Sequence, residues 1–295
     1  GSPTGRRNIR ELRNTWLCRV EGNNLRPQFC DLRFADGKID EIRPSDHRRF
    51  LRGAGSPTPA EGVIDASGRV ATAPGINFHD HFYSRLAKGL ALPGPMTEFR
   101  HILENLWWKL DQALDRDMVV ASARLGALES LRCGVSYVFD HHSSPSFVRG
   151  SLDAIRVNLS AAGLRGVLCL ETSDRHGEQT TEACLEEQRA FISGSTDEDT
   201  RGLVGLHAPF TLGDHTLRRA GALCSELSAG IHIHLAEDAY EQRSSREAFD
   251  CTAGERLDRF GLLGQPGILA HGVHLAPGDW PPLQRGRCAL ALNPD

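Results

Sequence analysis

Residues 74–84 read PGINFHDHFYS. A short apolar stretch leads into His79 and His81, which flank Asp80. Side chains two apart on a strand point the same way, about 6.6 Å apart along it. His79 and His81 can therefore share one inward-facing ion while Asp80 turns away. Taken alone, the triplet leaves two readings open: a metal pair at the end of a strand, or two ordinary loop histidines.

The surroundings of this stretch point to the fold. From residue 70 onward, apolar runs alternate with longer helical patterns. The runs are VATAPGINF, GVSYVFD (134–140), RGVLCLE (165–171), GLVGLH (202–207), GIHIHL (230–235), PGILAH (266–271) and CALALN (288–293). Between them, EFRHILENLWWKLDQAL repeats Ile102, Leu103, Leu106, Trp107, Leu110 and Leu114 at helical spacing. Adjacent Trp107 and Trp108 cannot face the same way on a helix, so one is expected in the core and the other over a site mouth. Repeated strand–helix units predict a parallel α/β fold. Seven strands are visible, and a (β/α)8 TIM-type barrel needs eight, the last beyond residue 295. Gly261, Gly264 and Gly267 read as turn glycines, since no strand precedes them as a dinucleotide fingerprint requires.

Residues 1–70 read differently. TWLCRV, CDLRFADGKIDEIRP and GVIDASGRVATAPG are strands expected to join by hairpins, with ADG and ASG as turn signals. SDHRRFLRGAGSPTPAEG is expected to be a surface loop. The expected division is residues 1–70 as a small β part and 71–295 as the barrel.

Composition narrows the function classes. The chain has 295 residues, 40% hydrophobic and 24% charged, as in a soluble globular protein. The net charge of -4 argues against general nucleic-acid binding. No apolar run approaches a membrane span, and the start lacks both a signal-peptide core and an initiator Met, as a trimmed, tagged or incomplete terminus would. Eight cysteines form no CxxC pair, which points to free thiols in a reducing cytoplasm rather than a thiolate zinc site.

Histidines gather at the predicted strand ends. His79 and His81 end the first, His141 and His142 follow the second, and His207 ends the fourth. His232 and His234 share a face of the fifth, and His271 ends the sixth. The C-terminal rim of a parallel barrel is where such folds place chemistry. An imidazole-rich, thiolate-free cluster suits zinc, with iron(II) as the alternative.

PGINFHDH, HIHLAED and AHGVHL resemble the metal-dependent amidohydrolase superfamily, in its aminohydrolase and chlorohydrolase branch. HFYSRLAKGL, ILENLWWKLDQAL, FDHHSSP, ETSDRHG and GLHAPFTLGDHTL are similar to the SsnA-type aminohydrolases within it. The resemblance runs from about residue 15 to the end. It implies a barrel flanked by a β-sandwich built from both chain ends, and often a homodimer. It implies one divalent ion held by His79, His81 and His234, with Glu237 shuttling protons. His271 would orient the attacking water or stabilise charge, and His207 would contact substrate. His141 and His142 are further substrate-contact candidates at the rim, and Arg175 and His176 could reach substrate from the third strand. The family's last ligand is an Asp ending strand eight; Asp295 lies just past strand seven and is not that residue. No lysine follows Lys109, so the lysine that bridges two ions in other members has no counterpart here, which favours one ion.

A divalent ion on three imidazoles leaves positions for water and lowers its pKa towards about 7. The implied reaction is hydrolysis of a C–N bond at an amidine-like carbon of a small heterocycle. Alternatives are chloride or cyclic-amide hydrolysis at the same centre, or a catalytically incompetent truncated fragment.

Overall fold

The computed structural model describes residues 9–46, 60–92, 94–194 and 199–293. The chain divides into two compact units, Gly1–Pro74 and Gly75–Asp295. In the first, β1 (Glu11–Glu21), β2 (Asn24–Ala35), β3 (Lys38–Pro44), β4 (Val63–Asp65) and β5 (Val70–Ala71) form one sheet. Its order is β3-β2-β1-β4, with β5 also on β1. The ADG signal makes the β2–β3 hairpin, with Asp36 and Gly37 both at positive φ as a tight hairpin turn requires. The ASG signal does not make a hairpin. β4 and β5 both run parallel to β1, and Ser67–Gly68 is a jog closed by Arg69 N–H donating to Ala66 O at 3.0 Å. Most of the expected surface loop, residues 47–59, lies outside the described residues.

The second unit carries two parallel four-stranded sheets. One is β6 (Gly75–Asp80), β7 (Val135–His142), β8 (Arg165–Leu170) and β9 (Thr200–Gly202). The other is β10 (Val204–Leu206), β11 (Ile231–Leu235), β12 (Ile268–His271) and β13 (Ala289–Ala291). All seven expected strand positions are occupied. The fourth is split at Leu203 into β9 and β10, yet hydrogen bonding runs on: Leu203 N–H donates to Leu168 O at 3.1 Å and Thr172 bridges Leu206. The run VATAPGINF is two strands rather than one. Pro74 has no N–H to give a ladder, so β5 ends before it and β6 begins after it. Among the described residues no ladder joins β13 to β6.

Helices Arg116–Arg132, Ser151–Ala162, Glu178–Gly194 and Asp214–Leu227 separate the strands and cover them. Alternation along each strand sorts its side chains. In β11, Ile231, Ile233 and Leu235 pack against Leu217, Leu223 and Leu257 of the helical layer, which leaves His232 and His234 on the opposite face. β7 and β8 give Val138, Leu168 and Leu170 to a second core with Val119, Leu152, Ile155 and Leu159. The strands that carry the histidines are thus pinned by apolar residues one position away.

Close approach of β8 and β10 depends on Gly205. A Cβ there would lie 2.5 Å from Leu170 O and 2.9 Å from Cys169 Cβ, and neither backbone can yield. Gly205→Ala is expected to destabilise the protein by about 1–3 kcal/mol, read as a lower urea midpoint at unchanged m-value.

Candidate active site

Two strand ends bring His79, His81 and His234 together, with ligand atoms all within 4.8 Å of one another. Their tautomers follow from their partners. His81 Nδ1 donates to His141 O at 2.6 Å and His234 Nδ1 donates to His207 O at 2.7 Å. A carbonyl only accepts, so each Nδ1 carries the proton and each Nε2 a lone pair. Those two Nε2 atoms face each other at 3.1 Å. Two lone pairs at that distance repel unless a cation lies between them, and the spacing is close to that of two imidazoles on one tetrahedral ion with bonds of ~2.0–2.1 Å. His79 Nδ1 lies 2.8 Å from His232 Nε2, and its buried Nε2 has no hydrogen-bond partner. Burial depresses the pKa of all three rings, and for His79 and His234 the neighbouring imidazoles push further in the same direction. Neutral rings with free lone pairs are what a divalent ion needs, so these residues fit one.

Asp80 is not part of this set. Its carboxylate accepts from Arg85 and from Asn77 Nδ2, and also caps the His81 N–H. A second triad, His141, Glu171 and His234, has similar spacing. His141 Nε2 already donates to Leu206 O and His232 O, leaving Nδ1, which lies 3.7 Å from Glu171 Oε2. Both triads need the single free lone pair of His234, so they cannot each hold an ion at the same time.

Glu237 and His271 flank the trio. His271 Nε2 lies 3.7 Å from Glu237 Oε2, and the His271 ring stacks on His234 at 5.5 Å between centroids. Burial, then the nearby Asp238, pushes the Glu237 carboxyl up to about 7. Burial, then His81, brings His271 down to about 4. His271 has φ +78°, a left-handed conformation that side chains other than glycine rarely adopt and that clusters at functional sites.

These residues line a cavity of about 340 Å³ together with Tyr83, Ser84, Phe99, Ile102, Leu103, Trp107, Trp108, Asp111, Glu171, His207 and Asn293. His207 lines it too, its Nδ1 2.8 Å from Thr211 Oγ1. Trp107 packs against the core around Phe82 and Leu114, as expected of one of the pair, but it lines the cavity as well, together with Trp108. The segment is not a continuous α-helix. Leu103–Trp107 is a π-turn between Phe99–Ile102 and Trp108–Ala113, and the wider turn changes which side chains share a face. Behind the wall, Arg175 lies over the Trp108 ring at 4.5 Å and donates to Asp111 and Glu171 at 3.2 and 2.9 Å. Arg175 and His176 do not themselves line the cavity. Burial pushes Glu171 up to about 7 although Arg175 opposes it.

His141 and His142 are fully buried and do not line the cavity. His141 instead supports the cluster through its carbonyl on His81, and His142 Nε2 lies 2.8 Å from Ser144 Oγ. Asp111 and Glu171 went unseen in the sequence, one on a helix with ordinary polar residues and the other closing an apolar strand. Their only local signal was a carboxylate at a strand or helix end facing the rim.

Burial brings both His141 and His142 to about 3. An unfolded histidine takes up a proton near 6.5, whereas these do so only far lower. Their contribution to stability is therefore present above pH 6.5 and lost as pH falls towards 3. The chelated protein is expected to melt at progressively lower temperature from pH 7 to pH 4, each blocked proton weighing about 1.4 kcal/mol per pH unit. A flat thermal-melting profile over that range contradicts the burial of these rings.

Comparison with known proteins now bears on this geometry. The profile of the amidohydrolase family matches residues 70–293. The 5-methylthioadenosine/S-adenosylhomocysteine deaminase of Thermococcus kodakarensis is 33% identical over 278 residues, covering 93% of this chain and 61% of the relative. The 5'-deoxyadenosine deaminase of Methanothermobacter thermautotrophicus is 29% identical over 245 residues, covering 82% of this chain and 54% of the relative. The chain thus spans about three-fifths of the length of such relatives. Among solved structures, guanine deaminase from C. acetobutylicum with bound guanine superposes with TM-score 0.76 at 16% identity, over 95% of this chain and 66% of that one. Atrazine chlorohydrolase from Arthrobacter aurescens complexed with zinc superposes with TM-score 0.74 at 17% identity, over 96% and 65%. What is shared with these structures is the fold, an α/β architecture of TIM-barrel type.

Proposed function

This chain belongs to the amidohydrolase family, and from that premise we propose that it is a metal-dependent aminohydrolase releasing ammonia from an amidine-like carbon of a nitrogen heterocycle. The observation that carries the reading is the pair of opposed Nε2 lone pairs on His81 and His234, with the half-buried Glu237 carboxyl beside them. The relatives' names point to adenosine derivatives as the substrate class.

In this reading His79, His81 and His234 hold one divalent ion, zinc by the chemistry of an all-imidazole set, with iron(II) the alternative. When bound, the ion supplies a Lewis acid and an acidified water. Glu237, with a pKa near 7, accepts the proton of the attacking water and returns it to the departing amine. His271, 3.7 Å from Glu237, donates towards charge developing at the attacked atom. His207 meets the heterocycle, and Phe99, Trp107 and Trp108 form an apolar wall that excludes water around it.

The finer architecture belongs to the same proposal. β6 and β13 leave an apolar slot lined by Ile76, Phe78, Leu290 and Leu292, and all four are exposed. We read the slot as the seat of an eighth strand closing a (β/α)8 barrel, and the first unit as one part of a β-sandwich.

The test is a screen of the zinc-supplemented protein. Ammonia release is measured from 5'-methylthioadenosine, S-adenosylhomocysteine, 5'-deoxyadenosine and guanine, and chloride release from atrazine. Ammonia from an adenosine derivative, absent in His79→Ala, is the expected result. Chloride release without ammonia would replace the deaminase reading with a chlorohydrolase. No product above the His79→Ala background would remove the catalytic reading altogether.

A further inference from the structure

Immediately after β11 the chain takes an unusual turn. Ala236, fully buried, has φ +53°, although it carries a Cβ that disfavours the left-handed region. It stands between the ligand His234, two residues before it, and Glu237, the next residue. Both of its backbone polar groups are clamped. Its N–H donates to Glu241 Oε1 at 2.8 Å, and its carbonyl accepts from His274 N–H at 2.8 Å. Leu235 O accepts from Gly272 N–H at 2.8 Å, so the loop after β12 holds the same kink from the other side. Glu241 is 1% exposed. It lies in the first turn of the helix Ala239–Phe249, which is fixed by Asp238 accepting from Tyr240 N–H at 2.8 Å.

We infer that Glu241 is a positioning residue: its buried carboxyl group holds Ala236 left-handed and thereby aims the Glu237 carboxyl at the His271 side of the cavity. The inference rests on the deamination reading for what Glu237 does, but not for where Glu237 sits. The kink matters because a continued strand would alternate. Glu237 would then follow the outward pleat of Leu235, which packs in the helical layer, instead of lining the cavity. One left-handed residue reverses that alternation. A carboxyl group is suited to the task because its carbonyl oxygen accepts an N–H and never donates.

A merely structural role makes a different forecast from a clamp. If Glu241 acts by holding a residue at positive φ, glycine at 236 should make it dispensable, because glycine adopts that region freely. If Glu241 only fills space or caps its helix, glycine at 236 cannot compensate. In the zinc-loaded protein, with whichever nucleoside releases ammonia, Glu241→Ala is expected to lower kcat about 100-fold. KM should stay within about threefold and zinc stoichiometry should not change, because misaiming Glu237 costs the chemical step rather than binding. Glu241→Gln keeps an acceptor oxygen and should retain most of kcat. Ala236→Gly combined with Glu241→Ala should recover at least about tenfold of the loss.

A second readout needs no activity. Ala236→Gly should raise the melting temperature more in the Glu241→Ala background than in the wild-type background, where the clamp already holds the left-handed turn. If no nucleoside releases ammonia, the deamination reading fails and this stability cycle still decides the inference. Equal effects of glycine in both backgrounds, or a double variant no more active than Glu241→Ala, overturn it. Should Glu241→Ala be insoluble, a soluble double variant supports the clamp and an insoluble one overturns it.

Discussion

His234→Ala is expected to abolish tight metal binding and to reduce ammonia release at least about 10³-fold. The choice of His234 over His79 or His81 follows from the geometry. It is the residue common to both triads found among the described residues, so its loss leaves neither of them complete. After dialysis, elemental analysis should find about one zinc per chain in the wild type and less than about a tenth of that in the variant, given that three imidazoles otherwise share the ion. The same change removes a linkage: zinc at 100 times its Kd stabilises the wild type by about 2.7 kcal/mol, so zinc should raise the wild-type melting temperature and leave the variant's unmoved. Undiminished zinc in His234→Ala would move the metal to other residues. Two tightly held ions per wild-type chain would overturn the one-ion proposal.

Glu237→Gln is expected to lower kcat by about 10²–10⁴-fold with zinc content intact. The carboxyl and the amide are nearly the same size, so the change tests the proton and little else. The pH profile gives an independent check. As a proton acceptor Glu237 works only when ionised, and burial, then Asp238, raises its pKa to about 7 in the metal-free chain. Activity should therefore fall on the acid side, about tenfold per pH unit in kcat/KM, and a bound cation should shift that limb to lower pH by favouring the carboxylate. The limb should be missing from Glu237→Gln. An unchanged acid limb in that variant would assign it to another group.

Why some of this site was legible and some not comes down to the range over which each feature is determined. His79 with His81, and His232 with His234, announce themselves because a strand has a period of two and their neighbours are apolar. Glu237 and the role of His271 come from the resemblance of HIHLAED and AHGVHL to the family's motifs, not from periodicity. His141 and His142 look the same in sequence, yet both are buried away from the cavity. Alternation tells which residues share a face, but not what the rest of the fold sets against that face. Trp107 and Trp108 were separated by the arithmetic of an α-helix and brought onto one wall by a π-turn, which inserts a residue without a mark in the hydrophobic pattern. Pro74 divided an apolar run that reads as a single strand, because a missing N–H outweighs hydrophobicity in ending a ladder.

By itself the sequence determined the order along the chain of seven parallel strands with helices between them, and that imidazoles gather at the strand ends. Those follow from local periodicity and from what flanks each run. Only the tertiary structure decided the tautomers of His81 and His234, because carbonyls of His141 and His207 accept their protons. It alone decided that Asp111, Glu171 and Arg175 join behind Trp108, from positions up to 64 residues apart. It also reversed the pleat at Ala236, so that PGINFHDHFYS and HIHLAED meet around one point. Hydrogen-bond direction and backbone handedness depend on partners that arrive from other strands, and no window of sequence contains both halves of such a contact.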